Sequence, residues 1–355
     1  MTLAKHIVII SSCGFFLASC SSSVGDDKLP QTVQISEIYS MNTDGSDSKQ
    51  LTKDNNNIGF MRYLPKSDKI LFTEVGGIYI MNSDGTQRQL LSNQIGSGFT
   101  ITQDEHTAYF VTSSVSGLKA NSVLYSFSLS TGQEKQILQD SSGIEQLGLS
   151  MDGSELMYNS ISLAPKNSTL YLLNTATLEK RMIKEGVNLY CSFPQFIPNS
   201  NQVLLFDKID SNQNDTYLRI IDLADTSQNR ILDTVTIQGD VYFALSSKGD
   251  IFYEKNGITV LNIYSTHKKT IPFLFYPSTI ADNINWSYDE TELIFTNNLN
   301  NQIVRYNLSS DISTSIRPTQ AGQGGITIYP FNYPFLNYNN SKIFYTVRSI
   351  KTTFI

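Results

Sequence analysis

Histidine, cysteine and tryptophan are the scarce residues of this chain, with three, three and one copies among 355. His106 and His267 stand far apart in separate polar stretches, so no histidine cluster for a metal can be read from the sequence. Charged residues make up only 16%, and the lysines form no run. With a net charge of −6 and no basic stretch, nucleic acid is excluded as a main partner, because a phosphate backbone needs a basic face. No segment sustains a 3.6-residue apolar period, which excludes a helical domain. There is no Gly-x-Ser-x-Gly elbow. Gly322-Gln323-Gly324-Gly325 lacks the lysine and the following helix of a phosphate loop. No cofactor is implied.

What is present points to β structure. Apolar residues are 40% of the chain, with nineteen Tyr and nineteen Phe, and Ser, Asn and Thr fill the polar positions.

The amino terminus reads as a targeting segment over residues 1–19. Lys5 supplies a positive start, and Ile7 to Leu17 is an apolar run with the length of a signal sequence rather than a membrane span. Leu17-Ala18-Ser19-Cys20 then resembles the bacterial lipobox, which implies lipidation of Cys20. Cys13 has a similar context but too few apolar residues before it. Several acyl chains on one residue anchor a protein stably. Residues 20–34, with Ser21-Ser22-Ser23, Gly25 and Pro30, read as a flexible tether. The expectation is an envelope protein held by lipid, at the outer membrane if the host is Gram-negative.

From residue 35 to 355 one unit recurs. Its best copies are Ile38-Tyr39-Ser40-Met41-Asn42-Thr43-Asp44-Gly45 and Ile78-Tyr79-Ile80-Met81-Asn82-Ser83-Asp84-Gly85. Alternation puts Tyr79 and Met81 on one face and Ile78 and Ile80 on the other, so the strand is apolar on both sides and belongs inside a stack of sheets. The Asp-Gly pair reads as a tight hairpin, with glycine supplying the positive φ. Degenerate copies follow around Tyr125, Tyr171, Ile220, Val260 and Tyr306. A second unit alternates with the first: an apolar strand, a polar turn such as Ser150-Met151-Asp152-Gly153 or Trp286-Ser287-Tyr288-Asp289, and another apolar strand.

Seven units of each kind can be counted, at the spacing of four-stranded propeller blades. The first outer pair has no inner pair before it, and the last inner pair has no outer pair after it. Joining residues 334–349 to 35–52 in one shared blade closes the ring and removes its open edges. The expected fold is all-β: a single, monomeric seven-bladed β-propeller of four-stranded blades, its last blade made from both ends of the chain, in preference to six or eight blades.

These motifs resemble the TolB-like propeller repeats, which run roughly Ser-Pro-Asp-Gly, a strand, Ile-Tyr-x-Met-Asn-x-Asp-Gly and Leu-Thr. The match is strong over 38–52 and 78–91 and weak in the other blades, where Met151 and Tyr288 stand in the place of the family's Pro. The chain departs from TolB in having seven units rather than six and no preceding α/β domain. The resemblance implies a propeller and, more loosely, an interaction module of the cell envelope.

Catalysis finds little support. The histidine shortage excludes the metal site of propeller-fold pectate lyases that act on oligogalacturonate. Peptidases with a seven-bladed propeller need a hydrolase domain for which no residues are left. Asp44, Asp68, Asp84, Asp152 and Asp289 repeat with the blades, so they read as turn residues rather than an acidic site. Asp210 to Asp215 alternates oxygen ligands but lacks the Gly and Glu of an EF-hand, and reads as a solvated hairpin.

Binding is expected at the loops that enter the inner strands. Phe273, Phe275 and Tyr276 lie on one long loop, and Tyr329 and Phe331 on another. Arg62, Tyr190, Asp240 and Asn283 are expected at the mouths of other blades. Aromatic and arginine anchors suit an envelope protein partner, so the leading expectation is a non-catalytic protein-binding propeller. The alternatives are a cap over the last two blades, or a glycan or small-ligand protein, binding or enzymatic, that uses carboxylates in the channel.

Overall fold

The computed structural model describes residues 30–53, 57–94, 96–116, 119–163, 166–186, 194–207, 215–236, 243–255, 257–271, 284–297, 302–316, 327–337 and 339–354. Within them the backbone forms 28 strands and no helix, arranged as seven four-stranded antiparallel sheets.

Blade 1 consists of β3 (Phe60–Leu64), β4 (Lys69–Glu74), β5 (Gly77–Asn82) and β6 (Gln89–Ser92). Blade 2 has β7 (Ser97–Ile101), β8 (Thr107–Ser116), β9 (Lys119–Ser128) and β10 (Glu134–Asp140). Blade 3 has β11 (Gly143–Leu149), β12 (Glu155–Leu163), β13 (Lys166–Asn174) and β14 (Lys180–Glu185). Blade 4 has β15 (Gln195–Phe196), β16 (Gln202–Asp207), β17 (Asp215–Asp222) and β18 (Asn229–Thr236). Blade 5 has β19 (Phe243–Leu245), β20 (Asp250–Glu254), β21 (Ile258–Asn262) and β22 (Lys268–Ile271). Blade 6 has β23 (Ile284–Trp286), β24 (Glu292–Asn297), β25 (Gln302–Asn307) and β26 (Ser313–Ile316). Blade 7 joins β27 (Thr327–Leu336) and β28 (Lys342–Phe354) to β1 (Pro30–Asn42) and β2 (Lys49–Gln50).

The two-sided apolar strand explains the stacking. Ile78 and Ile80 pack with Phe110 and Phe127 of blade 2, whereas Met81 and Tyr79 pack with Ile38 and Phe344 of blade 7. Blade 1 therefore buries both faces of β5, as the alternation requires. The same holds around the ring: seven hydrophobic clusters each join one blade to the next, including blade 7 to blade 6 through Met41, Tyr345 and Ile294. The innermost strands of neighbouring blades touch, as with β7 and β11 or β27 and β3. The expected ring of seven blades, closed by both ends of the chain, is the fold observed.

Each blade locks its own two turns together. The turn after the third strand donates an amide to a carbonyl in the turn after the first, at 2.8–3.2 Å: Ser83 to Asp68, Leu129 to His106, Thr175 to Ser154, Leu223 to Asn201, Ile263 to Gly249, Leu308 to Thr291 and Thr43 to Ser341. All these turns therefore share one side of the disc, the turn face. The other side, the connector face, carries the links between blades and both outer ends of the β1–β28 ladder, Pro30 and Phe354.

Three details differ from the sequence reading. β1 begins at Pro30, inside the segment read as tether, because residues 30–34 pair one-for-one with 350–354. The Asp-Gly turns are wider than two-residue hairpins: after Gly45 (φ 87°) a second positive-φ residue follows, Asp47 (φ 52°), before β2 begins. Finally, Tyr329 and Phe331 are not on a loop but on β27, the innermost strand of blade 7. The long β28 offers them a partner edge, and the ladder shifts register between Tyr329 and Asn332 and between Asn332 and Phe335. Pro330 and Pro334, which have no amide hydrogen to give, lie within those intervals.

Candidate interaction faces

The turn face carries the repeated carboxylates, and its hydrogen bonds account for them. Asp44 accepts from the Ser46 amide and hydroxyl at 2.8 and 2.6 Å, and Asp84 accepts from Thr86 at the same distances. Asp152 accepts from Ser150 and Ser154, and Asp289 from Ser287 and Thr291. Asp68 differs, accepting from the Tyr63 hydroxyl at 2.8 Å. The Ser46 hydroxyl holds Asp44 below the usual carboxylate range, and the Thr86 hydroxyl does the same for Asp84. Burial alone would raise Asp289, but the bonds from Ser287 and Thr291 outweigh it and bring its pKa to about 2. A carboxylate fixed in this way is a poor general base near neutral pH.

A recess of about 240 Å³ opens where three turns meet, lined by Lys66, Thr102, Asp104, Met151 and Asp152 among others. Asp104 accepts from the Thr102 hydroxyl and the His106 amide, and Asp152 from the Ser150 hydroxyl, so both carboxylates of the recess are bonded within their own turns. His106 and His267 are exposed on turns of blades 2 and 5, as the sequence suggested. Among the described residues, no group of three His, Cys, Asp or Glu side chains is placed to hold a metal ion.

Sequence reasoning missed the large exposed side chains of this face. Tyr264 is 60% exposed, Tyr288 56% and Met151 45%. The signal was available: Tyr288 and Met151 stand where the repeat motif has Pro. A position that loses a turn-forming residue and gains a large apolar one, without burying it, is released from the fold's own requirements.

Toward the ring axis, Phe60 on β3 stacks on Phe99 on β7 with centroids 4.8 Å apart, both half-buried. Arg62, two residues on, shares the side of β3 that carries Phe60. It is exposed to water, yet desolvation by surrounding protein lowers its guanidinium below the ordinary arginine value. Its strand β3 is an innermost strand, so Arg62 stands near the ring axis. The wall around it is tied across blades. Gln195 donates to the Phe243 carbonyl at 3.1 Å and accepts from the Leu245 amide at 2.9 Å, and Trp286 donates to the Ala244 carbonyl at 3.1 Å.

On the connector side, carboxylates are paired between or within blades. Buried Asp207 meets Lys184 of blade 3 and Arg219 of its own blade. Asp233 meets Lys255 and Lys268, both at 2.9 Å, and Glu74 meets Arg88. Asp215, at the edge of the 210–215 stretch, accepts from Thr236 at 2.7 Å.

Of the residues expected to bind a partner, only Arg62 is described in full. Tyr329 and Phe331 are placed on β27 by their backbone. Tyr190, Asp240, Phe273, Phe275, Tyr276 and Asn283 lie outside the described residues, as do Cys20 and Cys191. Among the described residues no helix is long and apolar enough to cross a membrane.

Comparison with family models gives no match, and no curated protein matches either. Solved structures do match. An oligogalacturonate lyase in complex with manganese aligns with a TM-score of 0.62 at 12% identity, over 90% of this chain and 97% of that one. The oligogalacturonate lyase of Vibrio parahaemolyticus aligns with a TM-score of 0.61 at 12% identity, over 90% and 98%. A putative TolB from Agrobacterium tumefaciens aligns at 0.49 and 10% identity, over 91% and 100%. At these identities the likeness to the two lyases is one of fold alone, a β-propeller.

Proposed function

We propose that this chain is a non-catalytic protein-binding propeller, displayed on the bacterial cell envelope as a lipoprotein anchored at Cys20. The observation that supports it most is the use already made of the candidate catalytic groups. The repeated carboxylates are bonded to their own turns or to Tyr63, and the described histidines stand on separate exposed turns. Aromatic and cationic residues gather near the axis: Phe60 stacks on Phe99, Arg62 follows on the same strand, and the innermost strand β27 carries Tyr329 and Phe331 in its sequence. Such groups suit an interface, where aromatic and arginine side chains carry most of the binding energy. In a Gram-negative host the anchor places the protein at the outer membrane.

Capture from detergent-solubilised envelope tests the reading. The intact protein retains a specific envelope protein, and the Phe275→Ala, Tyr329→Ala, Phe331→Ala triple variant loses it. Retention by the triple variant overturns the site. Cys20→Ser is expected to move the protein from the membrane to the soluble fraction, and unchanged fractionation overturns the anchor.

A further inference from the structure

The chain enters the ring at the tip of a ribbon. β1 pairs with β28 without interruption from Pro30 opposite Phe354 to Asn42 opposite Lys342. Asn42 and Asn82 hold the same place in their turns, each donating its backbone amide to the residue four ahead, Ser46 and Thr86. Glu37 is therefore the counterpart of Gly77, where β5 begins. The β1–β28 ladder runs seven residues beyond that level, or ~23 Å at strand rise, and it does so on the connector side.

We propose that the connector face is held toward the headgroup surface of the membrane that carries the anchor, and the turn face away from it. This rests on the anchoring of Cys20 proposed above. Ten peptide steps separate Cys20 from Pro30. Ten fully extended steps reach at most ~36 Å. From Pro30 to the turn face at Asn42, β1 alone covers twelve steps, or ~40 Å. Bringing the turn face to the same bilayer would need the tether fully taut and more, whereas the connector side is reached with slack. The β1–β28 ribbon then stands between ring and lipid.

Charge on the connector side agrees with this orientation. Glu74 is paired with Arg88, Asp207 with Lys184 and Arg219, and Asp233 with Lys255 and Lys268. These carboxylates are buried as well as paired, so they present little bare negative charge to headgroups on that side. The exposed Tyr264 and Tyr288 of the turn face are directed to the aqueous compartment.

Energy transfer to the bilayer tests the orientation. Val75, 64% exposed in the link between β4 and β5, marks the connector face, and exposed Lys66, between β3 and β4, marks the turn face of the same blade. Lipidated full-length protein carrying Cys191→Ser with either Val75→Cys or Lys66→Cys is labelled with a donor dye. It is then inserted into phosphatidylcholine–phosphatidylglycerol vesicles whose outer headgroups carry the acceptor. Transfer is expected to be several-fold stronger from position 75 than from position 66. Equal or reversed transfer in protein that floats with the vesicles overturns the orientation and leaves the anchor standing. Protein that fails to float overturns both.

Discussion

The ring of Tyr39, on the first strand of the chain, stacks on the ring of Tyr345, on the last, with centroids 5.8 Å apart and the two residues directly paired across the ladder. Tyr345 is completely buried and shares a hydrogen bond of 2.9 Å with Ser48, whereas Tyr39 is half-buried. Tyr345→Ala is expected to cost ~3–5 kcal/mol, the range for deleting a buried aromatic, and Tyr39→Ala distinctly less. Tyr345→Phe removes only the hydroxyl and should cost ~1 kcal/mol. Urea unfolding of the three variants checks the order, and a larger loss for Tyr39→Ala contradicts the packing described.

Backbone approach, rather than side-chain packing, fixes Gly77. It sits at φ 147°, and a Cβ there would meet the Ser92 carbonyl oxygen at 2.0 Å. Gly77→Ala must therefore push β6 away from β5 or break their ladder. A loss above ~2 kcal/mol in unfolding free energy is expected. A loss below ~0.5 kcal/mol would show that this blade tolerates the displacement.

Acid should unlock the junction between blades 4 and 5. Burial alone would raise the Asp233 carboxyl, but Tyr253, Lys255 and Lys268 outweigh it and hold its pKa at about 2, down from 3.8. Folding lowers this pKa, so the stabilisation is complete above the unfolded value near 4 and is lost as pH falls through about 2. At full strength it amounts to about 2 kcal/mol, reduced by salt because both ammonium groups are partly exposed. The stability gap between wild type and Asp233→Asn should shrink across that window in low salt. A gap independent of pH would contradict the assignment.

Manganese is a direct test against the lyase reading, since an oligogalacturonate lyase of similar fold is known in complex with it. Addition of Mn²⁺ is expected to leave the thermal midpoint unchanged, and so are oligogalacturonate fragments. A site filled at a hundred times its Kd would add about 2.7 kcal/mol of stability and a clear upward shift. Such a shift would favour the small-ligand reading over the protein-binding one.

The scaffold was legible because its signals are local and repeated. Ile78 and Ile80 against Tyr79 and Met81 announced a strand buried on both faces, and the structure packs each pair on a different blade. The unmatched first and last units announced how the ring closes. Features that depend on what a neighbouring blade supplies left no such trace. Nothing near Asp233 in sequence foretold that Lys255 and Lys268 would converge on it, and Gln146 gave no sign of the φ of 57° it adopts at a break in the β11–β12 register. Tyr329 and Phe331 read as part of a loop from Arg317 to Tyr333, whereas β28 pairs that stretch into β27 from Thr327 onward. The proposed binding surface was the least legible part, since the segments assigned to it do not repeat.

The ladder between Pro30 and Phe354 also sets a timetable. Among the described strands β1 is flanked by β2 and β28, so it waits for residues some three hundred positions later before it gains its longest partner. Six blades can form as their own residues become available, but the seventh stays incomplete until the carboxy-terminal residues arrive. Closure is thus a late event of high contact order and a slow one. Until it happens, β1 and the inner faces of blades 1 and 6 stand uncovered, and during that interval the chain is most in need of protection from its neighbours.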